Sequence, residues 1–99
     1  MEEKKYTIEL TEKDVFVILI TLAETAKMEC EMYQELKDSS DPIARKEVAD
    51  APIRICNLLD IANKIDPDSP LTKAIEKFSD MIMEITEQDI FKQVKDVMN

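Results

Sequence analysis

Between Ala44 and Ile65, apolar residues return at steps of four and three without a slip: Ala44, Val48, Ala51, Ile55, Leu58, Ala62 and Ile65. That spacing puts the seven side chains on one stripe of an α-helix, and a strand, whose faces alternate every second residue, cannot reproduce it. A helix over 42–65 follows. Its stripe constrains the rest of the chain, because it has to be covered by elements carrying stripes of their own. Pro52 lies inside the pattern, where its missing amide forfeits the bond to the Val48 carbonyl. Since the stripe keeps phase on both sides, the reading is one kinked helix; a break with Asp50 capping a second start is the alternative.

The flanking segments supply the cover. Asp41-Pro42 and Ser69-Pro70 each place a capping side chain before a proline at the first helical position, where the absent amide costs nothing. After the second of these, Leu71, Ile75, Phe78, Ile82 and Ile85 form a stripe that predicts a helix over 70–85. Beyond it the same phase would carry Asp89 and Lys92 into the core. Thr86 and Asp89 are spaced as a capping pair ahead of Ile90, Val94 and Val97, which predicts a separate short helix over 87–98.

Before the first connector, Val15, Leu19, Leu22, Ala26, Tyr33 and Leu36 mark a helix over 12–38, with Glu29 or Cys30 filling the missing turn. Thr11 is its N-cap, Asp14 completes a capping box, and Leu10 and Val15 are placed as a hydrophobic staple. The first half of this helix is apolar nearly all round, since Phe16, Val17, Ile18 and Ile20 fall off the main stripe. It is also rich enough in β-branched residues to leave a buried strand as the alternative. Ahead of it, Tyr6, Ile8 and Leu10 alternate with Thr7 and Glu9, the period of a half-buried strand over 5–10. The expected fold is mainly α: a single domain over 1–99, a compact bundle of three long helices plus a short C-terminal helix, preceded by one N-terminal β-strand.

Composition then restricts function. The chain has no Gly and no His, which removes the loops that let backbone amides approach phosphate and the usual neutral-pH proton carrier and metal ligand. A non-enzymatic binding module without a cofactor is expected. Cys30 and Cys56 belong to no CxxC pair and read as reduced thiols. The longest apolar run, Val15 to Leu22 broken only by Thr21, is far shorter than the ~20 residues that span a bilayer, and Met1 is followed by charged residues with no apolar targeting stretch. The cytoplasm is the expected compartment. Asp and Glu number 22 against 13 Lys and Arg, a net charge of −9, so direct binding to nucleic acid or to an anionic membrane is not expected and a partner with a basic surface is.

The abundant reactive groups are carboxylates. All-α nucleotide pyrophosphohydrolases hold magnesium with ExxE and ExxD pairs on facing helices, and Glu9-Leu-Thr-Glu12 and Glu35-Leu-Lys-Asp38 have that spelling. The first pair, however, straddles a strand and a helical turn, and Glu47-Val-Ala-Asp50 and Glu84-Ile-Thr-Glu87 repeat the spelling in an acidic chain. More regular are Glu24, Glu31 and Asp38, spaced by sevens opposite the Leu19-Ala26-Tyr33 seam, with Glu35 beside them. Such a ridge can occupy a basic nucleic-acid groove on another protein, as DNA-mimic inhibitors do; a face that only solvates a helix has the same pattern. Among the methionines, Met28 and Met32 lie off the first seam, and Met81, Met83 and Met98 join them as flexible contact or filling groups.

The stretch Lys5-Tyr-Thr-Ile-Glu-Leu-Thr-Glu-Lys-Asp-Val15 resembles the opening of ribbon-helix-helix repressors, in which a short strand pairs across a dimer and enters the DNA major groove ahead of two helices. The resemblance implies intermolecular strand pairing. It departs from the family in the length of the helix that follows and in offering Thr7 and Glu9 where bases would be read. The functional expectation is a small acidic protein-binding module, of the accessory or inhibitory kind found in bacteria and phages, with the ridge Glu24, Glu31, Glu35 and Asp38 facing a basic partner. A homodimer is expected through Tyr6, Ile8, Phe16, Val17 and Ile20, because an isolated strand leaves its amides and carbonyls unpaired. The alternatives are a ribbon-helix-helix-like DNA-binding regulator and a carboxylate-metal nucleotide phosphohydrolase.

Overall fold

A computed structural model describes residues 3–98, with side chains as far as Thr86. It contains α1 (Glu12–Leu36), α2 (Pro42–Ile65) and α3 (Pro70–Met98), and each helix packs against both others. The connectors 37–41 and 66–69 are too short to return to the far end of the preceding helix, so the three run up, down and up. No helix among the described residues is long and apolar enough to cross a membrane.

The helix starts follow the sequence signals. Thr11 Oγ1 accepts from the Asp14 amide at 3.1 Å while Asp14 Oδ2 accepts from the Thr11 amide at 3.0 Å, a closed capping box. The Asp41 side chain accepts from Ile43 N at 3.3 Å, and Ser69 Oγ from Leu71 N at 3.2 Å, ahead of Pro42 and Pro70 respectively. Val15 to Leu22 is helical, not a strand.

The core is a file of small layers. At one end Leu19 and Ala26 of α1 meet Ala62 of α2 and Ile75 of α3; at the other, Cys30 and Tyr33 meet Ala51, Ile55 and Ile82. Cys30, not Glu29, fills the turn left open in the first stripe. Both cysteines are free, Cys30 buried and Cys56 exposed.

Two expectations fail. Among the described residues there is no strand: residues 3–10 are exposed and enter no backbone hydrogen bond. A strand needs a ladder partner, and three helices packed on one another offer no sheet edge to supply it. The separate short helix over 87–98 is also absent, since α3 is continuous to Met98. Thr86 cannot cap a new start, because its hydroxyl donates to the Ile82 carbonyl one turn back (2.9 Å) and lies 3.0 Å from the Tyr33 hydroxyl. Among the described residues the buried ones of α3 are Thr72, Ile75, Ser79 and Ile82, so up to Thr86 its seam is rotated from the apolar stripe whose phase failed after Ile85. Asp89, Ile90, Val94, Val97 and Met98 have side chains outside the described residues.

α2 is continuous through Pro52, which favours the single helix over the break. Pro52→Ala should be tolerated or raise stability by about 1 kcal/mol, as it restores one backbone hydrogen bond. Urea unfolding monitored by circular dichroism measures this, and a large loss would mean that the proline itself shapes the packing of α2.

Tyr33 and Thr86 set the register of α3 against α1. Only about one turn of α1 follows Tyr33, whereas a dozen residues of α3 follow Thr86, roughly 18 Å of helix. The end of α3 therefore overhangs the bundle, in keeping with extents of 56 × 35 × 24 Å and a radius of gyration of 16.5 Å.

Candidate functional site

A helix turns about 100° per residue, so packing Leu19, Ala26, Cys30 and Tyr33 inward fixes what α1 shows outward. Phe16, Val17 and Met28 are more than half exposed, and Glu24, Glu31 and Glu35 are exposed along the same side. Asp38 is exposed in the turn that follows the helix, and Ile20 is half-buried. The outer face of α1 thus has two halves: an apolar N-terminal one at Phe16 and Val17, and an acidic C-terminal one interrupted by Lys27.

The apolar half continues into the chain ahead of it. Leu10 and Phe16 line one open cavity of about 420 Å³ together with Val15 and Leu19 of α1, Ile65 at the end of α2 and Leu71 at the start of α3. Tyr6 and Ile8 are 78% and 71% exposed, so neither packs on the bundle. All the residues expected to pair copies therefore lie at one end of the molecule, while the acidic ridge occupies the other end of α1.

The charge of α1 is partly neutralised elsewhere. Arg54 of α2 sets Nη2 2.9 Å from Glu29 Oε2 and 3.0 Å from Glu47 Oε2, and donates to the Glu47 carbonyl at 3.4 Å. The approach to Glu29 is close but not aligned as a hydrogen bond, and Arg54 Nε has no partner among the described residues; the contact with Glu29 is an ion pair across the α1–α2 seam. The pairing with Glu29 dominates the environment of the guanidinium and raises its already high pKa despite partial burial. Arg54 lies two turns after Glu47, so the clasp also bridges the gap at Pro52. Glu29 is consequently not part of the free acidic face. Sequence reasoning passed over this cluster, although Glu47 and Arg54 share one side of α2 at a spacing of two turns.

Burial pushes the Cys30 thiol up, and the charge of the neighbouring Glu31 adds to it. Both effects favour the neutral thiol of Cys30 over the thiolate. Glu12 and Glu35 sit at opposite ends of α1, roughly 35 Å apart, so Glu9-Glu12 and Glu35-Asp38 cannot hold one metal ion. Among the described residues no three His, Cys, Asp or Glu side chains are grouped as metal ligands. Met28, Met81 and Met83 are exposed, and Met32 packs against the core. No family model matches the chain, and neither a curated protein nor a solved structure does.

Proposed function

We propose that this chain is a small acidic, non-enzymatic protein-binding module, an accessory or inhibitory protein that presents the acidic half of α1 to a basic, nucleic-acid-binding partner. One observation carries the reading: Glu24, Glu31 and Glu35 are exposed on the side of α1 away from its buried seam, and Asp38 is exposed in the turn that follows it. A file of carboxylates at helical spacing offers a basic groove the charge it takes from a nucleic-acid backbone. Free thiols at Cys30 and Cys56 suit a reducing compartment, so the cytoplasm is where we place its action. We propose further that two copies associate through Tyr6, Ile8, Phe16, Val17 and Ile20, whose apolar surface the bundle leaves largely uncovered.

The test is charge reversal of the ridge. With the four residues changed together to Lys, association with a partner recovered from the native lysate should slow roughly tenfold at low salt and lose most of its salt dependence, since complementary charge acts mainly on encounter. The fold should survive, because none of the four touches the seam. Reversing Arg45 and Lys46 on α2 is the control and should matter less. An unchanged association rate in a mutant with an intact circular dichroism spectrum would reduce the ridge to a solvated face.

A further inference from the structure

Residues 5–10 combine three properties. Their side chains alternate as a half-buried strand does, their backbone makes no hydrogen bond among the described residues, and Tyr6 and Ile8 are exposed. We infer that a second copy of this chain completes them: the two arms pair antiparallel, with Thr7 opposite Thr7 on the dimer axis. The inference rests on the self-association proposed above and assigns it a register.

Charge and apolar pattern select that register. With Thr7 on the axis, Lys5 of each copy faces Glu9 of the other, and Tyr6 faces Ile8, each pair occurring twice by symmetry. Directly opposite residues lie on the same face of the ribbon. One face is then Lys5, Thr7 and Glu9 from both copies, while the other is Tyr6 and Ile8, with Leu10 of each copy opposite Lys4 of the other at its rim.

Sliding by one residue sets Tyr6 against Glu9 or Thr7 and mixes the faces. Sliding by two in one direction opposes Glu3 to Glu9, a like-charge pair. In the other direction Lys5 and Glu9 face threonines and both ion pairs are lost. Two strands alone are marginal in water. The apolar face of the ribbon, however, leads through Leu10 into the cavity that Leu10 shares with Phe16, so the ribbon has apolar surface at both ends to settle on.

A charge exchange between copies tests the register. In Lys5→Glu alone the ribbon opposes Glu to Glu twice, and in Glu9→Lys alone Lys to Lys twice. In an equimolar mixture the mixed dimer has every pair opposite. Light scattering on wild type at micromolar concentration should give the mass of two 11.4 kDa chains. Each single variant should dimerise roughly tenfold more weakly, and the mixture should recover wild-type association, with native mass spectrometry showing the mixed species. Both positions are exposed and precede α1, so the helical signal should not change. A wild-type chain that stays monomeric on concentration overturns the self-association and the register together. A wild-type dimer that ignores the single variants, or variants that mixing does not rescue, overturns the register alone.

Discussion

Ile55→Ala should lower stability by about 2–5 kcal/mol and the thermal midpoint by roughly 10–30 °C, the largest single-residue effect expected in this chain. Ile55 is fully buried between Tyr33 and Cys30 of α1 and Ile82 of α3, with Ala51 one turn away on its own helix. A cavity is costly where its walls cannot move in. The walls here are short of material: of the ten buried apolar residues among those described, four are alanines and one is a cysteine. Against a total of about 5–15 kcal/mol for a domain of this size, the substitution removes a large share. Thermal and urea unfolding followed by circular dichroism report it. A loss below about 1 kcal/mol would mean that α2 does not dock on α1 and α3 along this layer.

Ala62→Leu should also destabilise, by about 1–3 kcal/mol, although it adds apolar surface and leaves helix propensity almost unchanged. Ala62 has no exposed area and packs with Leu19, Ala26 and Ile75, so three further carbon atoms have nowhere to go without separating α2 from its neighbours. Asn63→Leu, at the next and exposed position, is the comparison and should stay within about 0.5 kcal/mol of wild type. If Ala62→Leu proves neutral or stabilising, the helices are not in close contact at this layer.

The helices were legible because their signals are local. Thr11 with Asp14, Asp41 with Pro42 and Ser69 with Pro70 fix three starts within a few residues, and the stripes of α1 and α2 match the residues that are buried. Misreading began where polar side chains take core positions. Thr72 is buried because its hydroxyl donates to the Asp66 carbonyl at 2.7 Å, Ser79 packs near Cys56, and Thr86 meets Tyr33. A search for apolar periodicity skips all three, shifts the α3 seam and invents a break after Ile85.

The expected strand over 5–10 failed for the complementary reason, since alternation records what a segment can pair with and not whether its own chain supplies the pair. Of the candidate surface, periodicity placed Glu24, Glu31 and Glu35 on the exposed side of α1. It gave no sign that Glu29 would be withdrawn by Arg54, because that contact depends on the lateral placing of two helices.

The overhang of α3 changes how the size of this protein will be perceived in solution. A compact domain of about 100 residues has a radius of gyration near 13 Å, and the same scaling reaches 16.5 Å only at about 200 residues. A single elongated chain will therefore leave a gel-filtration column ahead of a globular protein of its own mass. Elution position alone would overstate the mass of the single chain. Stoichiometry has to be read from quantities blind to shape, such as scattered intensity or sedimentation equilibrium, while the excess drag itself becomes a gauge of whether those last turns of helix stand clear or fold back.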